Sequence, residues 1–169
     1  LAEATLGVSI FSQPHRYRVK TVDKAAFEQH RIVEIPLGTE PACSVIGCGQ
    51  GASDQSVAIV NPETLRRCQP DEVGEIWLSS PSVAQGYWRK PEETEETFRA
   101  VIADTGEGPF LRTGDLGFFQ DGELFITGRV KDLIIIRGGN HYPQDIELTL
   151  QNTSPALQPD AGAAFSVEF

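Results

Sequence analysis

Short alternating apolar runs recur along this chain, punctuated by Gly, Pro and Asn, a pattern that predicts many short strands and few helices. Residues 7–11 and 17–22 alternate as strands do, and CSVIGCG (43–49), SVAIVN (56–61) and VGEIWLSS (73–80) repeat the pattern. RIVEI continues extended from residue 31 to Pro36. Three segments carry helix-start chemistry instead. DKAAFEQHR (23–31) places Asp23 as an N-cap, while KPEETEETF (90–98) and PQDIELTLQN (143–152) place Pro91 and Pro143 at the first helical position with acidic residues behind them. LIIIRGG (133–139) predicts a buried strand ended by two glycines, and AGAAFSVEF (161–169) the start of another strand.

The segment LRTGDLGFFQDGELFITGR (111–129) departs from a plain sheet, because charges and glycines interrupt its alternation. Asp121-Gly122 between apolar runs is a strong hairpin signal, since a type I′ turn needs positive φ at both central residues. With those two as the loop, Gln120 pairs with Glu123, Phe118 with Phe125, Leu116 with Thr127 and Asp115 with Gly128. Arg129 follows at once, so Asp115 and Arg129 meet at the open end of one hairpin. Glycines on both sides would let a ligand approach the backbone closely. Spacing alone leaves a polar ligand site and a simple rim salt bridge equally open.

Many strands before Arg129 and a strand–helix–strand order after it predict an α+β chain: a β-rich, barrel-like unit joined near residues 129–132 to the opening of a second α+β unit. The 169 residues include no Met and begin at Leu1, so a piece of a longer protein is expected. A net charge of −10 speaks against nucleic acid or an anionic membrane as the main partner, and no apolar run is long enough for a spanning helix. Cys43, Cys48 and Cys68 form no C-x-x-C pair, and His15, His30 and His141 are scattered. Reduced thiols in a cytoplasmic protein, and no His or Cys metal site, are expected.

Four stretches resemble consecutive motifs of the adenylate-forming enzymes: LAEAT (1–5), GEIWLSSPSVAQGYW (74–88), LRTGDLG (111–117) and GRVKDLIIIRGGNHYPQDIE (128–147). That superfamily joins acyl-CoA synthetases, peptide-synthetase adenylation domains and luciferases. Ala2 in place of the usual Thr, and NHYPQDIE after the glycines, are similar to the fatty acyl-AMP ligases. The resemblance implies ATP and Mg²⁺ as cofactors, a fatty acid as substrate and an acyl carrier protein as acceptor. It also implies an architecture. Residues 1–128 would be the C-terminal part of a large domain with a distorted β-barrel, 129–132 a hinge, and 133–169 the start of a small α+β domain.

By the same resemblance, Asp115 holds the ribose, a task suited to a carboxylate whose two oxygens accept from neighbouring hydroxyls. Arg129 contacts the ribose and phosphate side as a permanently charged fork. Ala2 and Ile126 complete the nucleotide set, Ala2 through its backbone at most. Glu3 holds Mg²⁺, a hard cation that wants oxygen ligands. Lys131 falls on the hinge, where backbone rotation rather than substrate contact is required. The motif's phosphate loop, its adenine-stacking Tyr and the C-terminal catalytic Lys have no counterpart in this sequence, so the chain alone is expected not to catalyse. Gly139 stands where related ligases commonly have Arg.

Glu3 and Gly74 are separated by 74 − 3 = 71 positions, and the surplus lies near residues 16–45, where fatty acyl-AMP ligases carry an insertion. Its apolar Phe27, Ile32, Val33 and Ile35 are expected to pack on the β-rich unit and to restrain the swing about Lys131. The competing readings are a fatty acyl-CoA synthetase, an amino-acid adenylation domain and, outside enzymes, a β-rich binding module.

Overall fold

A computed structural model describes residues 9–10, 18–51, 54–154, 156–158 and 161–167, with side chains from residue 18 onward. Ten strands, three α-helices and one 3-10 turn follow in order. They are β1 (Ser9–Ile10), β2 (Val19–Asp23), α1 (Lys24–Phe27), β3 (Ala42–Ile46), β4 (Gln50–Gly51), β5 (Ser56–Val60), β6 (Gly74–Ser79), α2 (Pro91–Phe98), β7 (Leu111–Gln120) and β8 (Glu123–Arg129). Past a 3-10 turn at Val130–Asp132 come β9 (Ile134–Ile136), β10 (Gly139–His141) and α3 (Pro143–Gln151).

The centre is an antiparallel four-stranded sheet in the order β5-β6-β7-β8. On one face Ala58 and Val60 pack with Trp77, Ile102 and Phe110. On another the aromatic pair Phe118–Phe125 joins Leu116 in a cluster with Val22, Phe27, Ile32, Val45 and Tyr142. That cluster is assembled from four parts of the chain. Val22, Phe27, Ile32 and Val45 come from the surplus segment, Val73 from just before β6, Leu116, Phe118 and Phe125 from the β7–β8 hairpin, and Tyr142 from beyond the expected hinge.

Local chemistry explains the elements that the pattern predicts. Asp23 caps α1 by accepting from the Ala26 amide at 2.8 Å, which satisfies one of the helix's orphan donors. Pro91 and Pro143 open α2 and α3, where a missing N–H costs nothing. Within the surplus segment β2 and β3 pair antiparallel around α1. Phe27 and Ile32 are buried, as the pattern requires, but Val33 is exposed and Ile35 only half-buried. Residues 31–35 make isolated bridges, Arg31 with Glu72 and Glu34 with Val22, rather than a strand.

Two further expectations change. The 133–139 run is a short antiparallel hairpin, β9 against β10, and only Ile134 is buried while Ile135 and Ile136 face solvent. Its turn at Arg137-Gly138 has positive φ at both residues, 54° and 79°, which ends β9 at Ile136, the last residue of the apolar run. Residues 161–167 form no strand, and 168–169 lie outside the described residues; Ala164 donates its amide to Glu147 at 2.9 Å.

Candidate nucleotide site at the open end of a hairpin

The β7–β8 hairpin turns at Asp121 and Gly122, with φ of 54° and 76°, as a type I′ turn demands. From there the pairs Gln120–Glu123, Phe119–Leu124, Phe118–Phe125 and Gly117–Ile126 follow the expected register. Beyond them it slips by one residue. Leu116 faces Gly128, not Thr127, and Asp115 faces Arg129 directly. Thr127 is the extra residue of a β-bulge, and its carbonyl accepts a hydrogen bond from Gln144 Nε2 of α3 at 2.7 Å. Bulges of this kind re-aim side chains next to functional sites. Here the bulge brings the carboxylate and guanidinium opposite each other.

Arg129 Nε stands 3.1 Å from Asp115 Oδ1, with side chains 49% and 29% exposed. Gly117 is directly paired with Ile126, so Asp115, two residues before Gly117 on β7, lies on the same sheet face as Ile126. Ile126 is exposed there. A side chain at Gly114 would point toward the Arg129 Nη2, 3.9 Å away. Gly114 also has a φ of 72°, which favours glycine.

The backbone around Asp115 is held from β6, and the residues that do this were not identified from the sequence. Glu75, with only 3% of its side chain exposed, accepts from the Gly114 amide at 3.1 Å through Oε1. Its Oε2 takes both Arg112 Nε at 3.0 Å and Nη2 at 2.9 Å, and the Arg112 guanidinium lies 5.6 Å from the Trp77 ring centre. The Thr113 hydroxyl donates to the Ile76 carbonyl at 2.7 Å and accepts the Asp115 amide at 3.1 Å. The one sequence signal was a Glu in an otherwise apolar strand, in GEIWL. Its Arg partner lies 37 residues away and is invisible to local pattern.

Of the other expected site residues, Lys131 is exposed on the 3-10 turn. Ala2 and Glu3 lie outside the described residues. A cavity of about 430 Å³ opens beyond Arg129, walled among others by Lys131, Tyr142, Gln144, Glu147 and Phe165. Arg129 lines this cavity and Asp115 does not. Burial pushes the Tyr142 phenol up to about 12 and the Cys43 and Cys68 thiols up to about 11. All three stay protonated at neutral pH, so neither of these two thiols has thiolate reactivity. Among the described residues no group of three His, Cys, Asp or Glu side chains is placed to hold a metal ion, and no helix is long and apolar enough to cross a membrane.

Known proteins match this chain along its length. The family described as AMP-binding enzyme matches residues 26–88. The medium-chain-fatty-acid–[acyl-carrier-protein] ligase JamA of Moorena producens is 57% identical over 99% of the chain and 29% of JamA. The long-chain-fatty-acid–AMP ligase FadD32 of Mycolicibacterium smegmatis is 40% identical over 99% of the chain and 28% of FadD32. The fatty acyl-adenylate ligase of Legionella pneumophila, solved with acyl adenylate and pyrophosphate, superposes with a TM-score of 0.70 at 46% identity, covering 91% of this chain and 26% of that one. The chain thus spans less than a third of each relative.

Proposed function

We propose that this chain, which belongs to the AMP-binding enzyme family and is similar along 99% of its length to fatty-acid-activating ligases, supplies the ribose clamp and hinge of a fatty acyl-AMP ligase. The observation that carries the reading is the Asp115–Arg129 pair, placed face to face by a bulge at 3.1 Å and left half-exposed at the hairpin's open end. A carboxylate held there accepts from two ribose hydroxyls, and the guanidinium beside it donates toward the phosphate side. Ile126 adds an exposed apolar surface on the same face. The fit to a nucleoside is chemical: charge-assisted hydrogen bonds, two acceptors side by side, and a glycine that leaves room.

In the full reaction a fatty carboxylate attacks the α-phosphorus of ATP and pyrophosphate leaves. A carrier protein's thiol then takes the acyl group and AMP leaves. Mg²⁺ supplies charge neutralisation at the phosphates, and the resemblance gives its ligand as Glu3. Residues 129–132, with Lys131, act as the hinge between a large domain ending at 128 and a small one starting at 133. The carrier protein is the proposed acceptor, as the name of JamA suggests, and the cytoplasm the proposed compartment.

Contacts of the surplus segment support acceptor choice. Phe27 stacks on Tyr142 with ring centres 4.7 Å apart. The Glu28 carbonyl accepts from both the Asn140 amide at 2.8 Å and Asn140 Nδ2 at 2.9 Å. Phe27 and Glu28 therefore touch the chain beyond the proposed hinge in this arrangement, and a restraint on the swing requires that the other arrangement lose those contacts. Because Val22, Phe27, Ile32 and Val45 are core residues, removing the whole segment would open the fold, and a point change is the cleaner probe. With the full-length enzyme, fatty acid and ATP, pyrophosphate release and acylation of a phosphopantetheinylated carrier are expected, with no acyl-CoA from free coenzyme A. Phe27→Ala should let some acyl-CoA appear. Release driven by amino acids, or acyl-CoA as the main wild-type product, would refute the reading.

A further inference from the structure

The geometry points to Glu75 and Thr113 as positioning residues that set how well the nucleotide site distinguishes ribose from 2′-deoxyribose. The inference rests on the reading of Asp115 as the ribose carboxylate. Its basis is where the sheet's regular bonding fails. The β6–β7 ladder is irregular between Glu75 and Trp77, and the β7–β8 ladder between Leu116 and Gly117, so Asp115 lies inside the stretch of β7 that breaks register with β6 and beside the bulge on β8. Side chains hold the backbone beside it instead. Glu75 of β6 accepts from the Gly114 amide, and Thr113 ties the Asp115 amide to the Ile76 carbonyl of the same strand. Both grips are supported from inside the protein. Glu75 is almost fully buried and fixed by two bonds from Arg112, and Ile76 is 2% exposed.

Two ribose hydroxyls can be read only by a carboxylate whose two oxygens are both in place, since misplacement by about an ångström forfeits the second hydrogen bond. Losing Glu75 or Thr113 leaves the Asp115 carboxylate present but loosely aimed. Overall nucleotide affinity then falls less than the preference for the 2′-hydroxyl.

Equilibrium binding of ATP and of 2′-deoxy-ATP to the full-length enzyme, measured by calorimetry, reads this as a ratio of two Kd values. The wild type is expected to favour ATP by about tenfold, the effect of one well-made hydrogen bond, and Asp115→Ala to bring the ratio near one. Thr113→Val, the same shape without the hydroxyl, and Glu75→Gln should each move the ratio most of the way to one, while Thr113→Ser keeps it. A role confined to stability would weaken both nucleotides together and leave the ratio alone. Should Thr113→Val fail to fold, Glu75→Gln carries the same comparison. A folded Thr113→Val or Glu75→Gln protein with the wild-type ratio overturns the inference. If Asp115→Ala also keeps that ratio, the ribose reading itself falls, and the inference with it.

Discussion

The two ends of the β7–β8 hairpin each hold a cation against carboxylate, and they are built to different ends. At the closed end Lys20, its side chain 8% exposed, reaches Asp121 at 2.9 Å and Glu34 at 3.0 Å and lies 5.9 Å from the Phe125 ring centre. At the open end Asp115 and Arg129 meet at 3.1 Å and remain 29% and 49% exposed. A buried ammonium must be matched by partners or it destabilises the fold. An exposed pair is worth little to stability, and for that reason its groups are available to a ligand. Between the ends, Phe118 and Phe125 stack at 4.8 Å with no exposure. Buried packing and matched charge are concentrated in the body and tip of the hairpin, and the proposed nucleotide site lies at its mouth.

The sharpest way to break this contrast is in the body. Phe118→Ala should lower unfolding free energy by about 3–5 kcal/mol, the cost of emptying a packed aromatic site, measured by urea denaturation. A loss below about 1 kcal/mol would mean the body is not the anchor.

The tip should give a smaller, pH-dependent effect. Burial pulls the Lys20 pKa down, but the hydrogen bonds it donates to Asp121 and Glu34, with their charges, outweigh that and hold it above 10.5. A raised pKa stabilises the fold below 10.5, and that contribution is lost as pH rises through the folded value. The Lys20 hydrogen bond holds Asp121 below 3.8, so the acid side of the same pair is lost only as pH falls through that lowered value. Lys20→Met should therefore lower Tm modestly at neutral pH, and the gap from wild type should close well above pH 10.5. A gap independent of pH would point to packing rather than charge. Smallest of all, Asp115→Ala should leave stability within about 0.5 kcal/mol of wild type, as an exposed ion pair allows.

Much of this contrast was legible in the residues. Asp121-Gly122 announces the turn, and the alternation through Phe118 and Phe125 announces the buried face. The meeting of Asp115 and Arg129 was visible too, but one residue out of register. The bulge at Thr127 follows from α3, whose Gln144 takes the Thr127 carbonyl, and no local pattern on β8 encodes a partner 17 residues away. Ile135 and Ile136 misled in the same manner. Three isoleucines read as a buried strand, yet burial depends on what lies opposite, and only Ile134 finds a neighbour. Glu75 was hidden because a strand pattern treats a lone Glu as an outward position. Its burial depends on Arg112, and that pairing exists only once β6 and β7 are side by side.

The central claim is that the hairpin's mouth binds nucleotide while its tip holds the fold. The most direct measurement is the ATP Kd of the full-length enzyme carrying Asp115→Ala, beside one carrying Lys20→Met. Each ribose hydrogen bond to the carboxylate is worth about 1.5–3 kcal/mol, so Asp115→Ala is expected to weaken ATP binding by at least about tenfold with an unchanged melting curve. Lys20→Met is expected to melt earlier and bind ATP as the wild type does. Unchanged ATP affinity in Asp115→Ala, or equal losses in both variants, would contradict the account.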